Sequence, residues 1–198
     1  MSGSPLLIDL PEAITTERLL IRPAAPGDGA ALNEAVLETW DSLSRWMPWA
    51  RERPTLAASE ELARTFRANF ILRTDLPLLI FLADGQRFVG CTGLTRMSWP
   101  VPRFETGYWV RRSCQGQGYA AEAVRALSRL AFGRLGAQRV EIHCSHRNEA
   151  SQRVALRCGF TLEGRLRNYD REPTGELCDI LVYSLVPDDE AARALAAT

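Results

Sequence analysis

Gln115-Gly116-Gln117-Gly118-Tyr119-Ala120 is a glycine-rich turn set directly ahead of a helical pattern. Behind it Ala120, Ala123, Val124, Leu127 and Ala131 recur at i, i+3, i+4, i+7 and i+11, one face of an amphipathic helix. A bare loop opening a helix aims unpaired N–H groups and the positive end of the helix dipole at one point, which suits a phosphate. No Lys-Ser/Thr pair follows, so the loop is not of the Walker type. Gly116-x-Gly118-x-x-Ala121 also fits a dinucleotide fingerprint, with Glu141 about 20 residues on. Three features weigh against that reading. Arg111-Arg112-Ser113-Cys114 separates the glycines from the strand before them, Glu141 falls near the start of its strand, and too little chain remains for more βα units. A turn and helix with no ligand is the third reading. The residues point to a phosphate-bearing ligand and leave its identity open.

Other reactive side chains are harder to combine. His143-Cys144-Ser145-His146 has the residue types of a metal site, but strand alternation sends His143 and Cys144 to opposite faces. Zinc needs tetrahedral convergence, so no metal is expected. Cys114 adjoins the loop, yet a thiol nucleophile needs a base and the sequence places neither histidine beside it. Asn148 is set to cap a helix, with Ser151 at its third position. Trp40, Trp46, Met47 and Trp49 crowd a stretch broken by prolines, where an irregular backbone favours a pocket wall over core.

The 198 residues are 46% hydrophobic, enough for one self-supporting domain. Lys+Arg and Asp+Glu both number 24, so no global field favours nucleic acid or an anionic membrane. Five cysteines, an odd number without a CxxC pair, suit a reducing compartment. The start has neither a basic region nor a long apolar run, so a signal peptide is not expected. The most apolar window, 76–83, is too short to span a bilayer.

These groups need a scaffold. Strands are expected over 19–22, 78–83, 88–95, 103–110, 140–144, 160–163 and 176–185. Asp84-Gly85 is a hairpin signal between the second and third of them. A first helix is expected over 30–37, then an irregular stretch over 43–54. Thr55 caps a second helix, with Leu62, Phe66 and Phe70 inside and Glu60, Glu61, Arg64 and Arg67 outside. The helix behind the glycines ends near Gly136, another spans 148–157, and beyond Pro187 an Ala-rich tail is a loose helix. Hairpins early and βαβα later argue a mixed sheet covered on both faces.

Gln115-x-x-Gly118-x-Ala120 resembles the acyl-CoA pyrophosphate loop of the GNAT superfamily of N-acyltransferases. Residues 16–23 resemble its first strand and 105–110 its central strand. Asn148-Glu149-Ala150-Ser151 followed by Cys158-Gly159-Phe160 resembles its fourth helix, and 160–164 the strand after it. The matches stand in family order and are closest to the RimJ/RimL group, ribosomal-protein N-terminal acetyltransferases and their relatives. The resemblance implies an α/β (α+β) domain of the GNAT fold, with a mixed, mostly antiparallel central sheet and helices on both faces. In that fold two neighbouring central strands splay and the pantetheine arm lies between them, here between 108–110 and 142–144. Residues 1–14 are then an N-terminal extension, 15–186 the single acyltransferase domain and 187–198 a C-terminal tail.

Acyl transfer from a thioester to an amine needs a held donor, a neutral amine, a polarised carbonyl and a protonated leaving thiolate. The resemblance assigns the pyrophosphate to the backbone of Gln115, Gly116, Gln117, Gly118, Tyr119 and Ala120. It assigns the pantetheine to Asn148 and to the strand edge at Trp109 and Val110, which would pair with it like an added strand. Many members carry a tyrosine general acid where this chain has Ala155. In the RimL-like group the serine matching Ser151 serves the thiolate instead, orienting it more than protonating it. For the base, Asp170 is preferred narrowly over Glu105. Glu141 is a third candidate, expected to face outward with His143. Trp46 and Trp49 are the expected acceptor-pocket walls.

The reading is an acyl-CoA-dependent N-acyltransferase of the cytoplasm, using acetyl-CoA as co-substrate on a protein or peptide N-terminal α-amine. A small amine (polyamine, amino acid or antibiotic) or a longer donor such as succinyl-CoA is the nearest alternative. A CoA-binding sensor without chemistry and a nicotinamide-dependent oxidoreductase are readings from other classes. The partner to expect is the amine acceptor, with a homodimer left open and neither nucleic acid nor membrane.

Overall fold

The most apolar run of the chain is β3 (Leu76–Leu82). Its alternate side chains enter two cores, Leu78 and Ile80 on one face and Leu79 and Phe81 on the other. A strand buried on both sides needs a layer on each. The computed structural model describes residues 4–196 and supplies both layers. α1 (Gly29–Trp46) and α2 (Leu56–Leu72) cover one face. α3 (Tyr119–Arg134), with Ala155 of α4 (Glu149–Arg157) and Ala192 and Leu195 of α5 (Glu190–Ala196), packs the other.

The remaining strands are β1 (Ile14–Thr15), β2 (Leu19–Pro23), β4 (Phe88–Ser98), β5 (Arg103–Val110), β6 (Arg139–Ser145), β7 (Thr161–Arg171) and β8 (Leu177–Leu185). They form one sheet in the order β1-β2-β3-β4-β5-β6-β8-β7. Every neighbouring pair is antiparallel except β5 and β6. This is the mixed, mostly antiparallel sheet that the resemblance implies. The β3–β4 hairpin closes at Asp84-Gly85 as expected, Asp84 Oδ1 accepting from Gln86 N at 3.0 Å.

Four local expectations need correction. α1 does not stop at residue 37. Leu32, Ala35, Val36, Thr39 and Leu43 continue one buried stripe, and no proline interrupts the chain until Pro48. In α2 the Thr55 hydroxyl caps Ala58 N at 3.1 Å as expected, but Leu62 points outward. The inward face there is Ser59, Ala63, Phe66 and Phe70. β7 runs well past residue 163 because β8 pairs with it as far as Arg171↔Leu177, with register shifts and a left-handed Asn168 (φ 51°) on the way. As far as residue 196 the tail is not loose, since Ala192 and Leu195 are buried in the α3-side core and Arg129 donates to the Leu195 carbonyl at 3.1 Å.

Candidate active site

β5 and β6 are joined through Arg103↔Arg139, Phe104↔Val140 and Glu105↔Glu141. Beyond Glu105, β5 stays with β4 as far as Gly90↔Val110, and β6 stays with β8 as far as Ser145↔Ile180. Two twisting strands held by their outer neighbours diverge. A wedge opens between residues 107–110 and 142–145, the place the resemblance implies, and a cavity of about 700 Å³ occupies it. Thr106, Tyr108 and Ile142 line it from the strands, Ser151 from α4 and Gly118 from the start of α3.

The glycine loop is built to leave the head of α3 bare. Gly116 and Gly118 have φ of +76° and +84°, a left-handed backbone that a side chain makes costly. Gly118 is the N-cap of α3 and carries no capping side chain, so the first-turn N–H groups have no acceptor within the helix. A Cβ on Gly116 would meet nothing within 4 Å, which leaves room for a ligand to approach the backbone. The Gln115 amide is not free. It donates to Arg112 O at 3.2 Å, while Gln115 Nε2 donates to Val110 O at 3.0 Å.

Two outside elements hold this loop. Arg18, just ahead of β2, donates through Nη1 to the Gln117 carbonyl at 3.0 Å and lies 4.9 Å over the Tyr119 ring. The same guanidinium reaches Glu122 in the first turn of α3, whose other oxygen takes the Thr16 hydroxyl. Burial pushes the Glu122 carboxyl upward, but Thr16 and Arg18 outweigh it and hold it below its ordinary range. From α1, Glu38 accepts Ser113 N at 2.8 Å and pairs with Arg111, and Thr39 Oγ1 accepts Arg112 N at 3.0 Å.

Across the wedge, Asn148 Oδ1 accepts from Ser151 N at 3.1 Å, the cap expected from the sequence. The Ser151 hydroxyl lies 3.0 Å from that of Tyr108. Burial pushes the Tyr108 phenol above its ordinary value, and the contact with Ser151 opposes this. Cys144 lines the cavity nearby, its thiol pushed up by burial and opposed by Ser151.

The face of β5 and β6 toward α1 carries charge. His143 Nε2 lies 3.1 Å from Glu141 Oε2, and His143 Nδ1 lies 3.5 Å from Glu105 Oε2. Arg96 Nη1 meets Glu105 Oε2 at 3.1 Å, and Arg139 pairs with Glu141. The side chains of Glu105, His143 and Glu141 are 16%, 16% and 18% exposed. Glu141 and His143 share a face as expected, but that face is withdrawn from solvent rather than open to it. Burial raises the Glu105 carboxyl, with His143 and Arg96 pulling the other way. Asp170 differs. It stands exposed on β7 at the rim of the cavity and accepts Arg171 N at 2.7 Å.

The fold thus brings Ser151, Asn148, Glu105, Asp170, Trp109, Val110, Gln115, Gly116, Gly118, Tyr119, Ala120 and Trp46 to one cavity. Gln117 does not line it, its carbonyl being taken by Arg18. Trp49 does not line it either. α1 persists through Trp46, and the turn after it carries Trp49 outward to 51% exposure while Ala50 is buried. Trp40 packs into the core rather than the pocket. Sequence reasoning missed Tyr108 and His143. The parity of β5 was the available signal for Tyr108, which shares a face with Phe104. Among the described residues no three His, Cys, Asp or Glu side chains converge as a metal site, and no helix is long and apolar enough to cross a membrane.

Comparison with known proteins agrees with this geometry. Residues 18–161 match the acetyltransferase (GNAT) domain family. A Bacillus subtilis (strain 168) protein with the provisional name ribosomal N-acetyltransferase YdaF is 29% identical over 172 residues, 86% of this chain and 92% of that one. The ribosomal-protein-serine acetyltransferase of Escherichia coli (strain K12) is 31% identical over 124 residues, 62% of this chain and 69% of that one. The solved structure of RimL, a ribosomal L7/L12 α-N-protein acetyltransferase in complex with coenzyme A, superposes with a TM-score of 0.81. It is 25% identical and covers 88% of this chain and 98% of its own. A family match over most of the chain, on a sheet that splays beside a bare helix head, makes this protein a member of the GNAT acetyltransferase family.

Proposed function

We propose that this enzyme transfers an acetyl group from acetyl-CoA to the N-terminal α-amine of a protein or peptide by direct attack, within a single domain of residues 15–186. One observation carries the reading. The wedge between β5 and β6 joins a bare helix head at one end to a withdrawn carboxylate, Glu105, at the other. The helix head at Gly118–Ala120 suits the pyrophosphate, with Gly116 leaving room beside it. The edges of Trp109 and Val110 toward β6 have no β6 partner and suit a pantetheine arm, with Asn148 and Ser151 facing them. When bound, acetyl-CoA supplies an activated acyl carbonyl and a thiolate leaving group.

Ser151 orients the leaving sulfur, and Tyr108 fixes the Ser151 hydroxyl. A base must be near the amine and able to hold a proton. Burial equips Glu105 for that better than Asp170, which lies exposed at the rim and suits contact with the acceptor backbone. Trp46, with Arg45 stacked 4.7 Å over it, walls the acceptor side. Relatives named for acetylating a ribosomal protein at its N-terminus support an α-amine acceptor. Five free, buried cysteines support a reducing cytoplasm. The test is release of free thiol from acetyl-CoA with a panel of peptides and small amines. Turnover is expected with free N-termini, and turnover on small amines alone would overturn the acceptor assignment.

A further inference from the structure

His143 sits between two carboxylates, facing Glu105 through Nδ1 and Glu141 through Nε2. Glu105 and His143 line the cavity, whereas Glu141 lies behind them. Both ring nitrogens and Glu105 Oε2 are buried, and what they face is one another, Glu141 and Arg96. The surrounding charges are Arg96 on β4, Glu105 on β5, Glu141 and Arg139 on β6, and beyond them Glu163 on β7, which pairs with Arg139. The row of charged groups therefore runs from the cavity toward the outer edge of the sheet, ending at Glu163, whose side chain is 43% exposed.

Resting on the amine-acetylating reading above, we propose that His143 is a positioning residue that carries the acceptor's proton from Glu105 to Glu141. The Glu105 carboxylate takes one proton from the acceptor nitrogen. That proton passes to His143 Nδ1 as the proton on Nε2 passes to Glu141 Oε2. Glu105 returns to carboxylate, the imidazole returns to neutral with its proton shifted, and Glu141 releases one proton toward solvent. Rotation or exchange with water resets the ring. One proton enters and one leaves, and no other bond changes. A base that hands its proton on avoids keeping it in a buried site where the next acceptor must bind.

The alternative is that His143 only knits β5 to β6 at the fork. The two roles differ in pH dependence. An α-amine has an ordinary pKa of about 7.7–8.0, so near pH 9 it is neutral in water and needs little help. Wild type, His143→Gln and Glu141→Gln would be compared in kcat, KM and acetyl-CoA affinity between pH 6 and 9, with a free-N-terminal peptide. Thermal unfolding checks that each variant folds. The relay gives His143→Gln a kcat deficit of about tenfold or more near pH 7. That deficit shrinks toward pH 9, Glu141→Gln changes in the same direction, and acetyl-CoA affinity stays within a few-fold. His143→Ala regains part of its rate with added imidazole. A deficit equal at every pH, or no deficit, overturns the relay. If wild type acetylates no amine while still binding acetyl-CoA, the proposed function itself fails and the relay with it.

Discussion

The hydroxyls of Tyr108 and Ser151 stand 3.0 Å apart across the fork where β5 leaves β6. One comes from a strand and the other from the first turn of α4, so the contact exists only when the fork and the helix are both in register. The Tyr108 hydroxyl also donates to the Ser151 carbonyl at 3.2 Å, so the phenol is anchored to the turn that Asn148 caps. Tyr108→Phe and Ser151→Ala are therefore expected to lower kcat, each by about ten- to a hundredfold. Acetyl-CoA affinity should stay within a few-fold, as measured by calorimetry. The double variant should lose little more than the worse single one, since both act through one hydroxyl. Fully multiplicative losses would mean separate roles.

The bare head of α3 depends on Gly118. Gly118→Asp forces a side chain into a left-handed position, with its Cβ 3.6 Å from Arg18 Nη2 and its carboxylate beside the anion site. Acetyl-CoA affinity is expected to fall by about a hundredfold or more, about 2.7 kcal/mol. Circular dichroism should show the fold retained. Unchanged affinity in the folded variant would remove the loop from donor binding.

The loop, its helix and the α4 cap were legible because each follows from chain-local chemistry: two glycines before an amphipathic stripe, and an Asn cap with Ser three residues on. The fork was expected only from the family resemblance. The charge row was not legible. Sequence alternation puts Glu141 and His143 on one face, but whether that face is dry depends on what packs over it. Glu105 meets them only through the parallel register Glu105↔Glu141, a pairing between residues far apart in the chain. The extent of α1 was readable from its stripe of Leu32 to Leu43, and the clustered tryptophans obscured it. Trp49 failed as a pocket wall for that same reason.

Glu163 ties three strands. Its carboxylate on β7 accepts the Ser184 hydroxyl of β8 at 2.6 Å and Arg139 Nη1 of β6 at 2.7 Å. Arg139 first, then Ser184, lowers its pKa from the ordinary 4.5 to about 2. A depressed carboxylate contributes stability that is present above about 4.5 and lost as pH falls through about 2. Solvent screens the pair, because Glu163 is 43% exposed, so the contribution is about 1 kcal/mol or less. Urea midpoints for Glu163→Gln and wild type should differ at pH 6 and converge as pH falls toward 2. A difference that persists at low pH would mean that packing, not charge, sets the effect.

Burial holds the Glu105 carboxyl above the usual carboxylate range. Its basic form is therefore lost as pH falls through that raised value, and the acid limb of kcat should lie higher than for an exposed carboxylate. Glu105→Gln is expected to cut kcat by about a hundredfold at pH 7 and to remove that limb. Asp170→Asn, at the exposed rim, should raise KM and leave the limb in place. The acceptor's own pKa sets the same balance from the other side. An α-amine titrates at about 7.7–8.0 and a lysine at about 10.4, so near pH 7 a tenth or so of the first is neutral, against less than about a thousandth of the second. One carboxylate can make up the smaller deficit far more readily than the larger. Peptides with free N-termini should thus outpace N-blocked peptides that carry lysine, with the gap narrowing as pH rises toward 10. Equal rates on both at pH 7 would shift the acceptor to side-chain or small amines and leave Glu105 as the base of a different reaction.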